Sequence, residues 1–187
     1  MVSEPCRIDP RVKRTRQMFF VALKSLLQEK SFEEISVQDL ADRSTLNRAT
    51  FYDHFTDKFA LLEAMIDESF RERIFARMEA SNGTCEEGLR QLVLSVCDFL
   101  GEHLAECQKV QRQFDPVVET RIKTVVRDFL AKALRFHNAT EDEVGLHSTM
   151  ASWAICGAAF DWKRERRMSA EALAESVLPL VQPLLKM

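Results

Sequence analysis

The sequence predicts an all-α protein, in which an N-terminal three-helix helix-turn-helix (homeodomain-like) domain precedes a C-terminal helical domain, with about nine helices in total. Apolar residues recur at intervals of three and four along most of the 187 residues, and only five Gly and five Pro interrupt them. Two short capped segments near the N-terminus are joined by a tight turn. These observations place the domains at residues 1–70 and 71–187 and the helix-turn-helix motif at residues 36–55.

The first helix is predicted over residues 11–28. Phe19, Leu23 and Leu26 lie on one helical face. Asp9 and Pro10 are typical of a helix start, since proline suits the first turn. This helix is expected to pack against the pair that follows and to complete the N-terminal domain.

The second and third helices are short. Ser36 is an N-cap with Asp39 as its capping-box partner, and the apolar pattern that follows ends near Ser44. Asn47 is a second N-cap, for a helix over residues 48–55. Two helices of about two turns, separated by three or four residues, have helix-turn-helix spacing.

The third helix carries side chains that suit DNA. A helix in a major groove brings its first turn to the base edges, so we expect Arg48, Ala49 and Thr50 to read bases. Phosphate contacts are expected from the following residues: Asn47, Tyr52, His54 and Lys58. The alternative for the aromatic run is a role in the core, which is the interpretation adopted for its two phenylalanines, at positions 51 and 55.

A motif of fixed spacing, T-F-Y-x-H-F-x-x-K-x-x-L, runs from Thr50 to Leu61. It resembles the DNA-binding domain of the tetracycline-repressor (TetR) family of bacterial transcriptional regulators. The resemblance implies that Gln38 joins the base-reading residues and that Ser36 joins the backbone contacts. This chain departs from the family at Ser31 and Thr45, where glycine is usual, and a positive φ at either position would be strained.

The net charge of −3 is unevenly distributed. Residues 1–60 hold ten Lys plus Arg against nine Asp plus Glu, a balance of +1, and the remainder carries −4. The leading arm, residues 1–16, has a net charge of +3 and suits phosphates or a minor groove, although a solvated tail is the alternative for its first residues.

The sequence offers no enzyme signature. It has no glycine-rich phosphate loop, no nucleophile elbow and no H-E-x-x-H zinc motif, so neither a catalytic residue nor a cofactor is predicted. Cys97, His103 and Cys107 share a helical face, but no fourth ligand is evident, and no metal is expected. Unpaired cysteines and the absence of a long apolar run or signal peptide predict a cytoplasmic protein that does not contact membranes.

The C-terminal half is predicted to be a series of helices. A long helix from about residue 59 to 80 joins the two domains, and a short, poorly patterned piece ends at Phe114. The other helices are predicted at residues 86–103, 115–136, 140–164 and 169–184. Pro179 and Pro183 are expected to bend the last one.

The segment from Met150 to Trp162 is apolar nearly all round and rich in small residues, so it must be covered on more than one side. Since the last two helices of similar proteins form a four-helix bundle across a two-fold axis, a homodimer is predicted. The alternative is a central core helix of a monomer. Predicted interface residues are Trp153, Ala154, Phe160, Leu173, Val177 and Leu180.

The family resemblance also implies a small-molecule pocket within residues 71–187. Its predicted lining is Phe99, His103, Cys107, Phe114, Phe129, Trp153 and Phe160, all of which suit a solid core equally well. Such a pocket favours an apolar or aromatic effector. The resulting hypothesis is a homodimeric, ligand-responsive repressor on a palindromic operator in double-stranded DNA. The alternatives are an activator or dual regulator without an effector, and a helical protein-interaction module.

Overall fold

The computed structural model describes the backbone of residues 9–79, 85–106, 111–165 and 167–185, with all of their side chains except those of 102–106 and 111–115. These residues form eight α-helices and no strand, which confirms the all-α prediction. The helices are α1 Pro10–Glu29, α2 Val37–Ser44, α3 Arg48–His54, α4 Lys58–Glu79, α5 Cys85–Glu106, α6 Gln111–Phe136, α7 Glu141–Glu165 and α8 Ala170–Leu185.

The chain divides into two compact units, Met1–Met65 and Ile66–Met187, and α4 contributes residues to both. The core of the first unit is aromatic. Phe51 is fully buried and its ring meets that of Phe19 edge-on, with 5.3 Å between the centroids. Phe55 completes the cluster, and the Arg16 guanidinium lies 4.9 Å from the centroid of its ring. Packing of α1 against α3 through these rings fixes where the short helices lie.

In the second unit, α7 is covered by α5, α6 and α8. Its buried side chains are mostly small, among them Ser148, Ala151 and Ala159, which lets neighbouring helices approach closely. The sequence-based expectation that this helix is covered on more than one side is therefore confirmed.

The largest difference from prediction concerns α6. A helix was expected to open at Asp115, but α6 begins at Gln111 and contains Pro116. Proline removes one backbone hydrogen bond from a helix interior, and a 26-residue helix retains enough others to continue through it. Among the described residues, α5 extends to Glu106 and α6 includes residues 111–114, and eight helices form where about nine were expected.

Candidate nucleic-acid interface

The helix-turn-helix begins at a complete capping box. The Ser36 hydroxyl accepts a hydrogen bond from the Asp39 amide at 3.1 Å, and the Ser36 amide donates to the Asp39 carboxylate at 2.7 Å. Donation from Ser36, with Lys30 also bound at 2.9 Å, holds the pKa of Asp39 far below its usual range. The cap fixes the start of α2 as the sequence predicted.

The turn between α2 and α3 is tight because Thr45 adopts a left-handed conformation, with φ 60° and ψ 26°. Its amide donates to the carbonyl of Asp42 at 3.3 Å, which closes the end of α2. A β-branched residue is strained in this conformation. Ser31, the second position at which the family usually has glycine, does not have a positive φ, and its amide and hydroxyl both donate to Glu34.

The first turn of α3 is held by Asn47. Its side-chain oxygen accepts hydrogen bonds from the Thr50 amide at 2.7 Å and from the Thr50 hydroxyl at 3.0 Å. The Thr50 hydroxyl is therefore engaged within the helix, and its methyl group is the part suited to an apolar contact with a thymine methyl. Asn47 acts as the helix cap, and its amide nitrogen remains available as a donor.

Several side chains of α3 are exposed to solvent. Arg48 and Ala49 are exposed in its first turn, and Tyr52 is 51% exposed one turn further on. The Arg48 guanidinium lies 6.0 Å from the centroid of the Tyr52 ring. Gln38 is exposed on α2, where its amide nitrogen donates to Asp42 at 2.7 Å. A cation, a phenol, a methyl group and an amide are thus presented to solvent by the two short helices.

Lys58, which the sequence predicted to contact a DNA phosphate, is bound to the protein's own backbone in this structure. Its ammonium group donates to the backbone carbonyls of Phe32, Glu33 and Ile35 at 2.9, 2.9 and 2.8 Å, and lies 4.9 Å from the Phe32 ring centroid. An ammonium group has three N–H donors, and all three are occupied. In this structure Lys58 ties α4 to the loop between α1 and α2.

Ser36 is another residue predicted to contact the DNA phosphate backbone, and its hydroxyl donates to the Asp39 carboxylate at 2.7 Å. Tyr52 is exposed and His54 is half-buried beside the Phe55 ring, with 6.3 Å between the ring centroids. Tyr52 and His54 are therefore the predicted phosphate contacts whose side chains are least committed to folding.

The side chains predicted to line a pocket differ in their exposure. Phe99 is buried against Phe70, with ring centroids 5.0 Å apart, whereas Trp153 is 64% exposed and lies below the ammonium group of Lys123. Phe129 and Phe160 are half-buried. The side chains of His103, Cys107 and Phe114 lie outside the described residues.

The predicted interface residues separate into two groups. Leu173 and Val177 are 8% and 6% exposed because they face the core of their own unit. Ala154 and Trp153 on α7 and Leu180 on α8 face solvent, with Leu180 74% exposed. Leu146 and Met150, which the sequence-based prediction did not include, continue the exposed face of α7 and are 59% and 47% exposed. Their spacing of four and three residues up to Trp153 was the available signal.

The described residues contain no cluster of three or more His, Cys, Asp or Glu side chains suited to a metal ion. Burial raises the pKa of the Cys97 and Cys156 thiols to about 12, as expected of core fillers. Within the described part of the chain, none of the helices combines the length and the apolar composition needed to cross a membrane.

Residues 20–65 match the family model described as bacterial regulatory proteins, tetR family. Over 69 residues the chain is 42% identical to the uncharacterized HTH-type transcriptional regulator YxbF of Bacillus subtilis (strain 168). That alignment covers 36% of this chain and only 18% of the length of YxbF.

Three solved structures show the same fold over nearly the whole chain. Lin0861 from Listeria innocua has a TM-score of 0.66 at 16% identity, covering 97% of this chain and 96% of its own. A tetR-family regulator from Streptomyces coelicolor has a TM-score of 0.58 at 18% identity, covering 92% and 80%. RolR in complex with resorcinol has a TM-score of 0.56 at 15% identity, covering 94% and 93%.

The family match names regulators rather than enzymes, and it falls on the helices whose caps, turn and exposed first-turn residues are described above. Residues 20–65, which hold the helix-turn-helix, therefore match the DNA-binding domain of the tetR family of bacterial regulatory proteins.

Proposed function

We propose that this chain is a homodimeric repressor that binds a palindromic operator and releases it when a small effector binds the second unit. The main support for this proposal is that α3 buries one face in the core and exposes the other to solvent. Phe51 is fully buried, while Arg48, Ala49 and Tyr52 are exposed and available to a groove. Two such helices in one dimer would enter successive major grooves, about one helical turn apart.

Base reading is assigned to Arg48, Ala49, Thr50 and Gln38. Arg48 suits a guanine because its guanidinium donates two parallel hydrogen bonds, and the methyl groups of Ala49 and Thr50 suit a thymine methyl. Tyr52 and His54 are assigned to phosphates, which position the helix without selecting a sequence.

The homodimer is supported by an exposed apolar face on the second unit. Leu146, Met150 and Trp153 form a stripe along α7, and Leu180 on α8 is 74% exposed. Exposed apolar patches of this kind are uncommon on monomers and mark sites of association. Covering the stripe with the same helices of a second copy gives a closed two-fold interface.

Ligand response is supported by the fold likeness to RolR, whose structure contains resorcinol. Because α4 contributes residues to both units, it is the natural element through which an effector acts on the DNA-binding domain. The effector must bind one arrangement of the dimer better than the other, since only differential affinity shifts the equilibrium. Release of DNA then follows from a separation of the two α3 helices that no longer matches the operator.

The test is binding to DNA from the region upstream of the gene, measured by fluorescence anisotropy at physiological salt. A specific regulator should prefer one palindromic fragment to random DNA of equal length by at least about 10³-fold. Equal affinity for both fragments would leave the helical protein-interaction module as the better hypothesis. Transcription from that fragment in vitro then separates a repressor from an activator, because a repressor lowers the transcript yield.

A further inference from the structure

We propose that the second unit carries a bipartite cleft along α6 for an amphiphilic anion, a molecule with an apolar group joined to a phosphate or carboxylate. Of the described side chains that the sequence suggested for a pocket, Phe129 lines this cleft, whereas Phe99, Trp153 and Phe160 do not. Its regulatory role rests on the proposed ligand response, whereas its existence as a binding site does not.

The apolar half lies between α4 and α6 and has a volume of about 310 Å³. Its walls are Ile74, Phe75, Val125 and Phe129. Phe75 is 60% exposed at this cleft, so a large aromatic ring is in contact with water where a ligand would cover it. Covering such a ring is favourable by about 25 cal/mol for each Å² of apolar surface.

The polar half lies between α6 and α7 and has a volume of about 450 Å³. Arg127 and Arg135 lie along it, together with the hydroxyl-bearing Ser148 and Thr149. Ser148 is only 2% exposed and lies on the wall of this half. A serine hydroxyl on the wall of a cationic cleft can donate a hydrogen bond to an anion.

The two halves meet at Arg71 and Lys132, which line both of them. Arg71 lies 3.4 Å from Asp128, and Arg127 lies 3.2 Å from the same carboxylate. One carboxylate therefore serves two guanidinium groups, while Lys132 has no ion-pair partner among the described residues.

The charge balance of the cleft favours an anion. Four cations line it, and the carboxylates that pair with them are those of Asp128 and Glu141, the latter held by Arg135 at 2.9 Å. Two positive charges remain uncompensated. An anionic head group placed at the junction would contact Lys132 and Arg71, whose guanidinium shares the Asp128 carboxylate with Arg127, and its apolar group would extend over Phe75 and Phe129. Charge-assisted hydrogen bonds to guanidinium groups are among the strongest available to a phosphate.

The experiment titrates the full chain with octyl phosphate below its critical micelle concentration, by calorimetry and by thermal melts. Inorganic phosphate, octanol and octyltrimethylammonium are titrated in parallel, and octanoate replaces the phosphate in a further arm. Octyl phosphate should bind at least about tenfold more tightly than each of the first three compounds. Comparison with octanoate separates a phosphate head group from a carboxylate. Equal binding of octyl phosphate and octyltrimethylammonium would overturn the proposal, and so would equal binding of inorganic phosphate.

Two exposed positions test the two halves without disturbing the core. Lys132→Glu and Phe75→Ser should each weaken octyl phosphate binding about tenfold. The matched controls are Lys24→Glu on α1 and Phe136→Ser, an 83% exposed position that is not among the residues lining the cleft. Unchanged binding in either cleft variant would assign the ligand elsewhere. If binding follows the cleft residues but operator affinity does not change with ligand, the site stands and the proposed ligand response fails.

Discussion

The ammonium nitrogen of Lys58 lies 2.8 Å from the backbone carbonyl oxygen of Ile35, 23 residues earlier in the chain. A cation at the start of a helix is unfavourable because it faces the positive end of the helix dipole. Three carbonyl oxygens of the preceding loop offset that cost. The contact fixes the loop that leads directly into the capping box of α2.

Replacement of Lys58 by methionine should therefore destabilise the DNA-binding unit. Loss of charge-assisted hydrogen bonds predicts a decrease of about 2 kcal/mol in the free energy of unfolding, measured with urea. The slope of log K against log salt for DNA binding should stay unchanged, because the three N–H donors of Lys58 are already held by carbonyl oxygens. Lys24→Met on α1 is the control and should leave stability intact. A phosphate-binding lysine would give the reverse pattern, with intact stability and a slope lower by about 0.9.

Arg48→Ala should abolish preference for the operator while leaving folding intact. The side chain is exposed and makes no contribution to the core, so thermal stability should change little. Loss of a bidentate contact to guanine should cost about 1–3 kcal/mol on operator DNA and much less on random DNA. Competition anisotropy with both fragments measures the ratio. Equal losses on the two fragments would exclude base reading by Arg48.

Thr45→Gly should stabilise the protein by about 0.5 to 1 kcal/mol, because glycine adopts φ 60° without the clash that a β-branched side chain suffers. Ser31→Gly is the matched control at the other position where the family usually has glycine. It should destabilise, since it removes the hydroxyl that donates to Glu34 at 2.8 Å. Chemical denaturation of both variants gives the comparison, and a stabilising Ser31→Gly would show that conformational strain does not explain the effect.

The capping box predicts an acid-sensitive contribution from Asp39. Its pKa is depressed in the folded protein by donation from Ser36, so its stabilising effect is complete above the unfolded-state pKa of about 3.9 and is lost as pH falls below that value. Asp39→Asn should lower the melting temperature at pH 7, and the difference from the parent should shrink steadily below about pH 4. A difference that is constant between pH 7 and pH 3 would exclude ionisation as its cause.

Leu180→Glu and Trp153→Glu should each convert the proposed dimer to a monomer, because a buried, unpaired carboxylate is costly at an apolar interface. Sedimentation velocity at micromolar concentration should then show only the 21.6 kDa chain. Phe136→Glu, at an exposed position on α6, should leave the dimer intact. A parent protein that already sediments as a monomer would overturn the proposed dimer itself.

Local sequence patterns predicted the helix starts that depend on hydrogen bonds between residues close in the chain. The caps at Ser36 and Asn47 follow from side chains that bond within three residues, so both helix starts were predictable. Lys58 differs, since its carbonyl partners lie 23 to 26 residues away and no spacing signals their convergence. On α8, Leu180 and Val181 are adjacent and both apolar, yet only Val181 is buried. Periodicity alone does not show which of two apolar faces meets the chain's own core.

The separation of roles within α3 has a consequence for how such a regulator diversifies. Phe51 is fully buried and Asn47 caps the helix. Arg48 and Ala49, which lie between these two residues in the sequence, are exposed and do not pack in the core. Substitutions at these two positions can therefore accumulate at little cost in stability. Under the base-reading role proposed for Arg48 and Ala49, single changes at these positions give new DNA targets, so a duplicated copy of this chain can acquire its own binding site while it still folds.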